Sequence, residues 1–479
     1  MKHLYLTTTL PYVNADPHIG FALEIVQADI YARYRALTGD QVFFNTGTDE
    51  HGQKIYQKAR DADRDPQSYV DEYAAKFRSL KETLGLSPEI HFIRTTDSHH
   101  KAAAQELWRR CSAAGDIYKK KYKGLYCVGD EAFIKENDLV NGKCPNHPTM
   151  DPVEIEEENY FFRLSAYQEK LVAYLSNPGS ILPEWRREEA LRFVQAGLED
   201  FSISRESARM PWGIPVPGDE TQVMYVWFDA LTNYISTLGW PDGSDFKAYW
   251  QDGHVLQMAG KDQVRFQSIM WQAMLMSAGV KTTDSVIYHG FVTSGGQKMS
   301  KSLGNVISPL SIVEEYGADA LRLFLARHVH PFEDSDVTME RFMEAYNADL
   351  ANGLGNLAAR IMKLAETNLP ESIVRPEPSG FPSAYMDALD RYSYNEAADY
   401  VWELIAQLDK KLTDTRPFSV VKTDPTTGRR MIAEMCAELY AIARLIQPFM
   451  PVTSNALKTA ILANKKPENL FPRKEKGAA

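Results

Sequence analysis

The chain has 479 residues, 44% of them hydrophobic, with a formal net charge of −11 and four cysteines. That length exceeds one ordinary domain. The acidic balance argues against a general nucleic-acid coat but leaves room for a local basic groove, and four cysteines are too few for a disulfide scaffold. No apolar run reaches the roughly 18–20 residues of a membrane span, and the opening MKHLYLTTTLPYV lacks the features of a signal peptide. A cytoplasmic protein with no membrane partner is expected.

HLYLTTTL reads as a short buried strand, ended by Pro11 and the Asn-Ala-Asp-Pro stretch. Leu23, Val26, Ile30, Tyr34 and Leu37 then recur at helical spacing up to Gly39. QVFFNTGTD reads as a second strand, so the start of the chain is a βαβ unit opening a parallel α/β sheet. Between 113 and 218 the texture changes to a basic run (KKKYK, 119–123), cysteines near turns and an acidic run (EIEEEN, 154–159), which reads as an insertion. QVMYVWFDAL and HVLQMAG look like returning strands, with a helix over QVRFQSIMWQAMLMSAG and a further strand in SVIYHGFV. From about 350 the periodicity is helical, interrupted by linkers at 370–382 and TDPTTGRR.

Two short segments carry the chemistry. DPHIGFALEI (16–25) turns into a helix through Pro17, His18 and Gly20. A helix start with close backbone N–H groups and a His donor suits a phosphate. SGGQKMSKSLGN (294–305) is a Gly/Ser-rich loop in which Lys298 and Lys301 flank Met299 and Ser300. Ammonium groups on such a loop can fold over a ligand and neutralise departing pyrophosphate. Alone, a K-x-x-K loop is more often a solvated surface; the pairing with PHIG changes the balance.

HIG at 18–20 and KMSKS at 298–302 resemble the two signatures of the class I aminoacyl-tRNA synthetases. LPYVNADPHIG, TGTDEHG, ENYFFRLS, DFSISR, WGIPVP, YVWFDAL and GKD follow in order, and the series resembles the methionyl-tRNA synthetase family over nearly the whole chain. The resemblance implies a Rossmann-type parallel-sheet catalytic domain in two parts (1–112 and 219–291), split by a connective insertion (113–218). A KMSKS and stem-contact region (292–350) and an all-α helical-bundle anticodon-binding domain (351–479) would follow. It implies activation of methionine by ATP with Mg²⁺, then transfer to the 3′ end of tRNA(Met).

On that resemblance His18, Lys298 and Lys301 stabilise transition-state charge, and Gly20, Gly260, Asp262 and Val292 join them at ATP. Leu10, Tyr12, Asp49, Trp227, Ala230, Tyr234, Gln263 and Gln267 would hold methionine. Asp49 suits the substrate ammonium, and aromatic walls suit a thioether. Without the resemblance Trp227 and Tyr234 read equally as core. Asn356, Arg360 and Phe418 would meet the anticodon, where unstacked bases are read by stacking and hydrogen bonds.

The sequence departs from the family pattern in places. Phe21 stands where a second His is usual, Leu231 replaces a frequent Pro, and Gln263 and Gln267 stand where an apolar residue and a His are usual. A Gln can still hydrogen-bond an aromatic hydroxyl beside the substrate. These changes leave open a synthetase for another amino acid, or a paralogue that binds tRNA or nucleotide without ligation.

Cys127-x2-Asp130 and Cys144-x2-His147 have knuckle-like spacing, with Asp where a second Cys is common. Structural zinc and two metal-free turns are equally compatible with them. No appended domain implies a dimer, so a monomer is expected.

Overall fold

A computed structural model describes residues 2–128, 132–134, 136–145, 148–299, 305–376 and 380–475, and the backbone alone at Tyr122, Ala132, Phe133 and Lys298. The chain divides into two compact units. One comprises residues 1–17, 39–79 and 88–289; the other comprises 18–38, 80–87 and 290–479.

The first unit is built on six parallel strands: β1 (His3–Thr8), β2 (Gln41–Thr48), β3 (His91–Arg94), β4 (Ile181–Leu182), β5 (His254–Gly260) and β6 (Ser285–His289). Their order is β3-β2-β1-β5-β6-β4, and each neighbouring pair is parallel. Strands in such a sheet are covered on both faces and read as near-continuous apolar runs, as β1 and β5 do. In the buried core, Tyr5 packs against Trp250 with ring centroids 5.8 Å apart, and Trp250 meets Trp271 edge-on at 6.2 Å. The chain order reverses between β1 and β5. Open α/β sheets bind ligands at the carboxyl ends of the strands beside such a reversal.

The expected βαβ opening is present. The connection between β1 and β2 is α1 (Ile19–Leu37), followed by Gly39 at φ +100°. Two expectations need correction. QVMYVWFDAL is not one strand: Asp219–Met224 pairs in a small antiparallel sheet, and Val226–Leu231 is a helix. The 113–218 insertion is not wholly separate either, because β4, at 181–182, joins the edge of the main sheet beside β6. Two residues carry no periodicity that could announce a strand.

Within the insertion, Ile117–Cys127 and Val153–Phe162 form a long antiparallel ribbon that sets Lys121 opposite Glu158 and Lys123 opposite Glu156. Lys123 pairs with Glu154 at 2.8 Å and Lys119 with Asp219 at 2.9 Å. The basic run is therefore matched by the acidic one.

The second unit is mostly helical. In Tyr394–Thr415 the buried Val401, Ile405, Leu408 and Leu412 lie on one face, as do Ile432, Met435, Leu439 and Ala443 in Pro425–Leu445. Asp29 of α1 and Arg322 form an ion pair at 2.7 Å with both side chains fully buried. Arg322 also donates to the carbonyls of Phe449 and Pro448 at 2.9 and 2.8 Å. Burial alone would raise the Asp29 carboxyl, but Arg322 and Arg33 hold it below the ordinary carboxylate range. This unit gathers α1, the region after 290 and the helical end, whereas the sequence reading separates 292–350 from 351–479.

Candidate active site

In the first unit the carboxyl ends of β1 and β2 are extended by a bridge between Tyr12 and Asp49. Asp49 N–H donates to Pro11 O at 3.0 Å and Val13 N–H to Asp49 O at 3.2 Å, so the backbone fixes the buried Asp49 at the sheet edge. Leu10 is buried beside them.

Trp227 and Ala230 stand on the short helix Val226–Leu231, and Tyr234 on the next turn. Trp227 is half-buried and stacks on Phe266, with centroids 3.9 Å apart and planes 14° apart. Tyr234 is buried. The Gln267 amide donates to the Tyr234 hydroxyl at 2.6 Å and to Thr9 Oγ1 at 3.3 Å. The hydrogen bond expected of a Gln at this position is therefore made. Its own Oε1, buried, has no hydrogen-bond partner among the described residues.

At the end of β5, an added Cβ on Gly260 would lie 2.7 Å from Asp262 Oδ1, so glycine is what lets Asp262 fold back over the strand end. Gln263 donates to Asp262 Oδ2 at 3.0 Å.

The sequence reading assigned no role to three other residues that the structure brings together here. Asp229 is fully buried, with His51 Nδ1 at 2.7 Å and His100 Nε2 at 2.8 Å. Burial opposes its charge, but the two imidazoles hold its carboxyl at about 2. Glu50, also buried, is gripped by both Arg94 Nε (2.7 Å) and Nη2 (2.8 Å). TGTDEHG contains Glu50 and His51 and YVWFDAL contains Asp229, while Arg94 and His100 lie in neither, and nothing in the strings says that they meet.

In the second unit His18 is the N-cap of α1. Its Nδ1 accepts the Gly20 N–H at 3.1 Å. That bond needs a lone pair on Nδ1, so the proton of the neutral ring sits on Nε2. The ring keeps one side open to solvent, yet the protein packed around it desolvates it and lowers its pKa below the ordinary 6.5. A Cβ at position 20 would lie 2.9 Å from the imidazole. Two of the close backbone N–H groups at this helix start are engaged within the protein: Ile19 N–H donates to Ile307 O at 3.1 Å, and Gly20 N–H to His18 Nδ1. The His18 ring N–H at Nε2 takes no part in these bonds.

Val292 begins β7 (Val292–Ser294), which pairs with β8 (Gln297–Lys298) across Gly295 and Gly296, both at positive φ. Such a two-residue turn favours glycine at both positions. Asp336 Oδ1 accepts the Gly296 N–H at 2.8 Å and the Thr293 hydroxyl at 3.0 Å. Lys298 thus leaves a pinned hairpin, whereas Lys301 lies outside the described residues.

Asn356 is exposed at the start of Asn356–Asn368. Arg360, one turn on, pairs with Asp409 at 2.5 Å. Phe418 is 43% exposed on Pro417–Thr423. Cys127 and Cys144 are buried and not disulfide-bonded; Asp130 and His147 lie outside the described residues, so the four-ligand set is not tested by geometry.

A family model described as tRNA synthetases class I (M) matches residues 4–153 and 148–362. A methionine–tRNA ligase of Mesorhizobium japonicum is 41% identical over 93% of this chain and 89% of its own length. One from Thermotoga maritima is 40% identical over 97% of this chain and 76% of its own. Mycobacterium tuberculosis methionyl-tRNA synthetase in complex with methionyl-adenylate matches with a TM-score of 0.88 and 36% identity, over 99% of both chains. Its apo form matches at 0.82 and 34%, over 100% of this chain and 99% of that one.

Proposed function

The chain belongs to the tRNA synthetases class I (M) family, and from that membership we propose that it is a methionine–tRNA ligase. The observation that carries the reading is the likeness, across nearly the full length of both chains, to a structure described with methionyl-adenylate.

In the first step a methionine carboxylate oxygen attacks the α-phosphorus of ATP, and the bond to pyrophosphate breaks. His18 Nε2–H donates to the α-phosphate, whose charge grows in the transition state. Lys298 and Lys301 neutralise the departing pyrophosphate. Gly260, Asp262 and Val292 bind the nucleotide. Mg²⁺ bound with ATP would offset phosphate charge. Asp49 holds the substrate ammonium. Leu10, Tyr12, Trp227, Ala230, Tyr234, Gln263 and Gln267 enclose the thioether. In the second step the 3′-terminal ribose hydroxyl of tRNA(Met) attacks the acyl carbon and AMP leaves. Positioning and electrostatics supply the catalysis, with no protein nucleophile.

Asn356, Arg360 and Phe418 read the anticodon, Phe418 by stacking on a base. Cys127, Asp130, Cys144 and His147 would be the residues to hold a structural zinc ion, with two metal-free turns as the alternative; metal analysis of the purified protein decides between them, and a metal-to-protein ratio near zero rejects zinc. The enzyme works as a cytoplasmic monomer. Aminoacylation of tRNA(Met) transcript with labelled methionine tests the whole reading: acid-precipitable, tRNA-dependent label is expected, and its absence contradicts ligation.

A further inference from the structure

His51 follows Asp49 by two residues, and Asp229 follows Trp227 by two. His51 Nδ1 lies 2.7 Å from Asp229 Oδ2, and His100 Nε2 lies 2.8 Å from Oδ1. His100 Nδ1 in turn meets Ser236 Oγ at 2.9 Å. The His51, His100 and Asp229 side chains are 3%, 0% and 0% exposed.

A carboxylate is costly to bury unless its oxygens are taken by donors. Here each oxygen has an imidazole donor. The two donors come from different places: His51 from the segment after β2, His100 from the helix Ser98–Ala113. Asp229 itself stands on a helix of only six residues. So short a helix has little stability of its own and depends on tertiary contacts for its orientation. On the other flank of the Asp49 segment, Arg94 grips Glu50 and the Trp212 indole N–H donates to Glu50 O at 2.6 Å. The segment 49–51 is thus clamped from two directions, and the His51–Asp229 bond is the one that runs to the pocket helix.

We propose that Asp229 is a positioning residue for amino-acid binding. Through His51 it fixes Asp49, and through its own helix it fixes Trp227 and Ala230, so that the ammonium site and the side-chain pocket keep one spacing. This rests on the methionine-ligase reading. A displacement of about 1 Å in such a constellation can cost on the order of a hundredfold in rate.

The test is steady-state ATP–pyrophosphate exchange with Asp229→Asn, His51→Ala and His51→Asn, with melting curves alongside. The Asn at 51 can offer a side-chain N–H close to where Nδ1–H stood. Asp229→Asn and His51→Ala are expected to raise KM for methionine about tenfold or more, with KM for ATP within about twofold of wild type. His51→Asn is expected to recover most of the loss. If Asp229→Asn fails to fold, the two His51 variants carry the test alone. Folded variants with unchanged KM for methionine overturn the proposal. So does a parallel loss for both substrates with no rescue by His51→Asn, which marks a merely structural role. Wild-type protein lacking methionine-dependent exchange would instead overturn the ligase reading, and the proposal with it.

Discussion

The side-chain amide of Gln267 donates to the hydroxyl of Tyr234 at 2.6 Å. Both residues are buried, and the same amide reaches Thr9 at the end of β1. A Gln thus serves where the family commonly has a His, and the aromatic wall stays tied to the sheet. Gln267→Leu removes that donor from a buried hydroxyl, a loss of roughly 1–3 kcal/mol. KM for methionine in the exchange assay should rise about tenfold, and Gln267→His should stay close to wild type. Equal KM values for Gln267→Leu and wild type would show that the bond does not shape the pocket.

His18 gives a pH prediction with a definite sign. Its folded pKa lies below the ordinary 6.5 because the ring is desolvated, and protonation of Nδ1 would break the bond from Gly20 N–H. The neutral form favours the fold. This contribution is present above the unfolded pKa near 6.5 and is lost as pH falls through the lower folded value. Activity that depends on the Nε2–H tautomer should therefore persist below pH 6.5. The acid limb of kcat/KM for ATP should fall at lower pH than that of an ordinary His. His18→Ala should lower kcat by about a hundredfold, and Gly20→Ala should also impair it by pushing the ring aside. Phe21→His should leave the enzyme active. A fully active His18→Ala enzyme would remove His18 from the chemistry.

The ion pair of Arg322 and Asp29 predicts a stability effect separate from catalysis. Arg322→Met leaves the Phe449 and Pro448 carbonyls without their donor and weakens the neutralisation of Asp29. Breaking one side of a buried pair costs about 3–5 kcal/mol. Chemical denaturation should show a loss of that order in the unit that contains α1; a change below about 1 kcal/mol would mean that Arg33 alone suffices for Asp29.

Phe418 is 43% exposed, and the proposed anticodon contact is a base stacked on its ring. Stacking of a base on an aromatic side chain is worth roughly 1–3 kcal/mol. Phe418→Ala should therefore raise KM for tRNA about tenfold or more and leave amino-acid-dependent exchange unchanged. An unaltered KM for tRNA would exclude Phe418 from the anticodon contact.

Much of this was legible in the sequence for physical reasons. β1 and α1 announce themselves by apolar run and helical period, and Gly295-Gly296 marks its own turn. The hydrogen bond of Gln267 to an aromatic hydroxyl was also within reach once the motif order was seen. Other features depend on partners distant in the chain. Val226–Leu231 reads as strand because its apolar run is short, yet it folds as a helix packed on buried residues. The Asp229 link to His51 and His100 joins residues far apart in sequence and leaves no local trace. β4 is two residues long and is defined only by its pairing with β6. At the start of α1 the sequence indicated a phosphate floor of backbone donors. Internal bonds to Ile307 and His18 engage two of them.

ATP–pyrophosphate exchange measured separately with each of the twenty amino acids bears most directly on the central claim. Methionine is predicted to drive exchange far above the other nineteen, and His18→Ala is predicted to abolish most of it. Exchange driven by a different amino acid, or by none, would contradict the assignment.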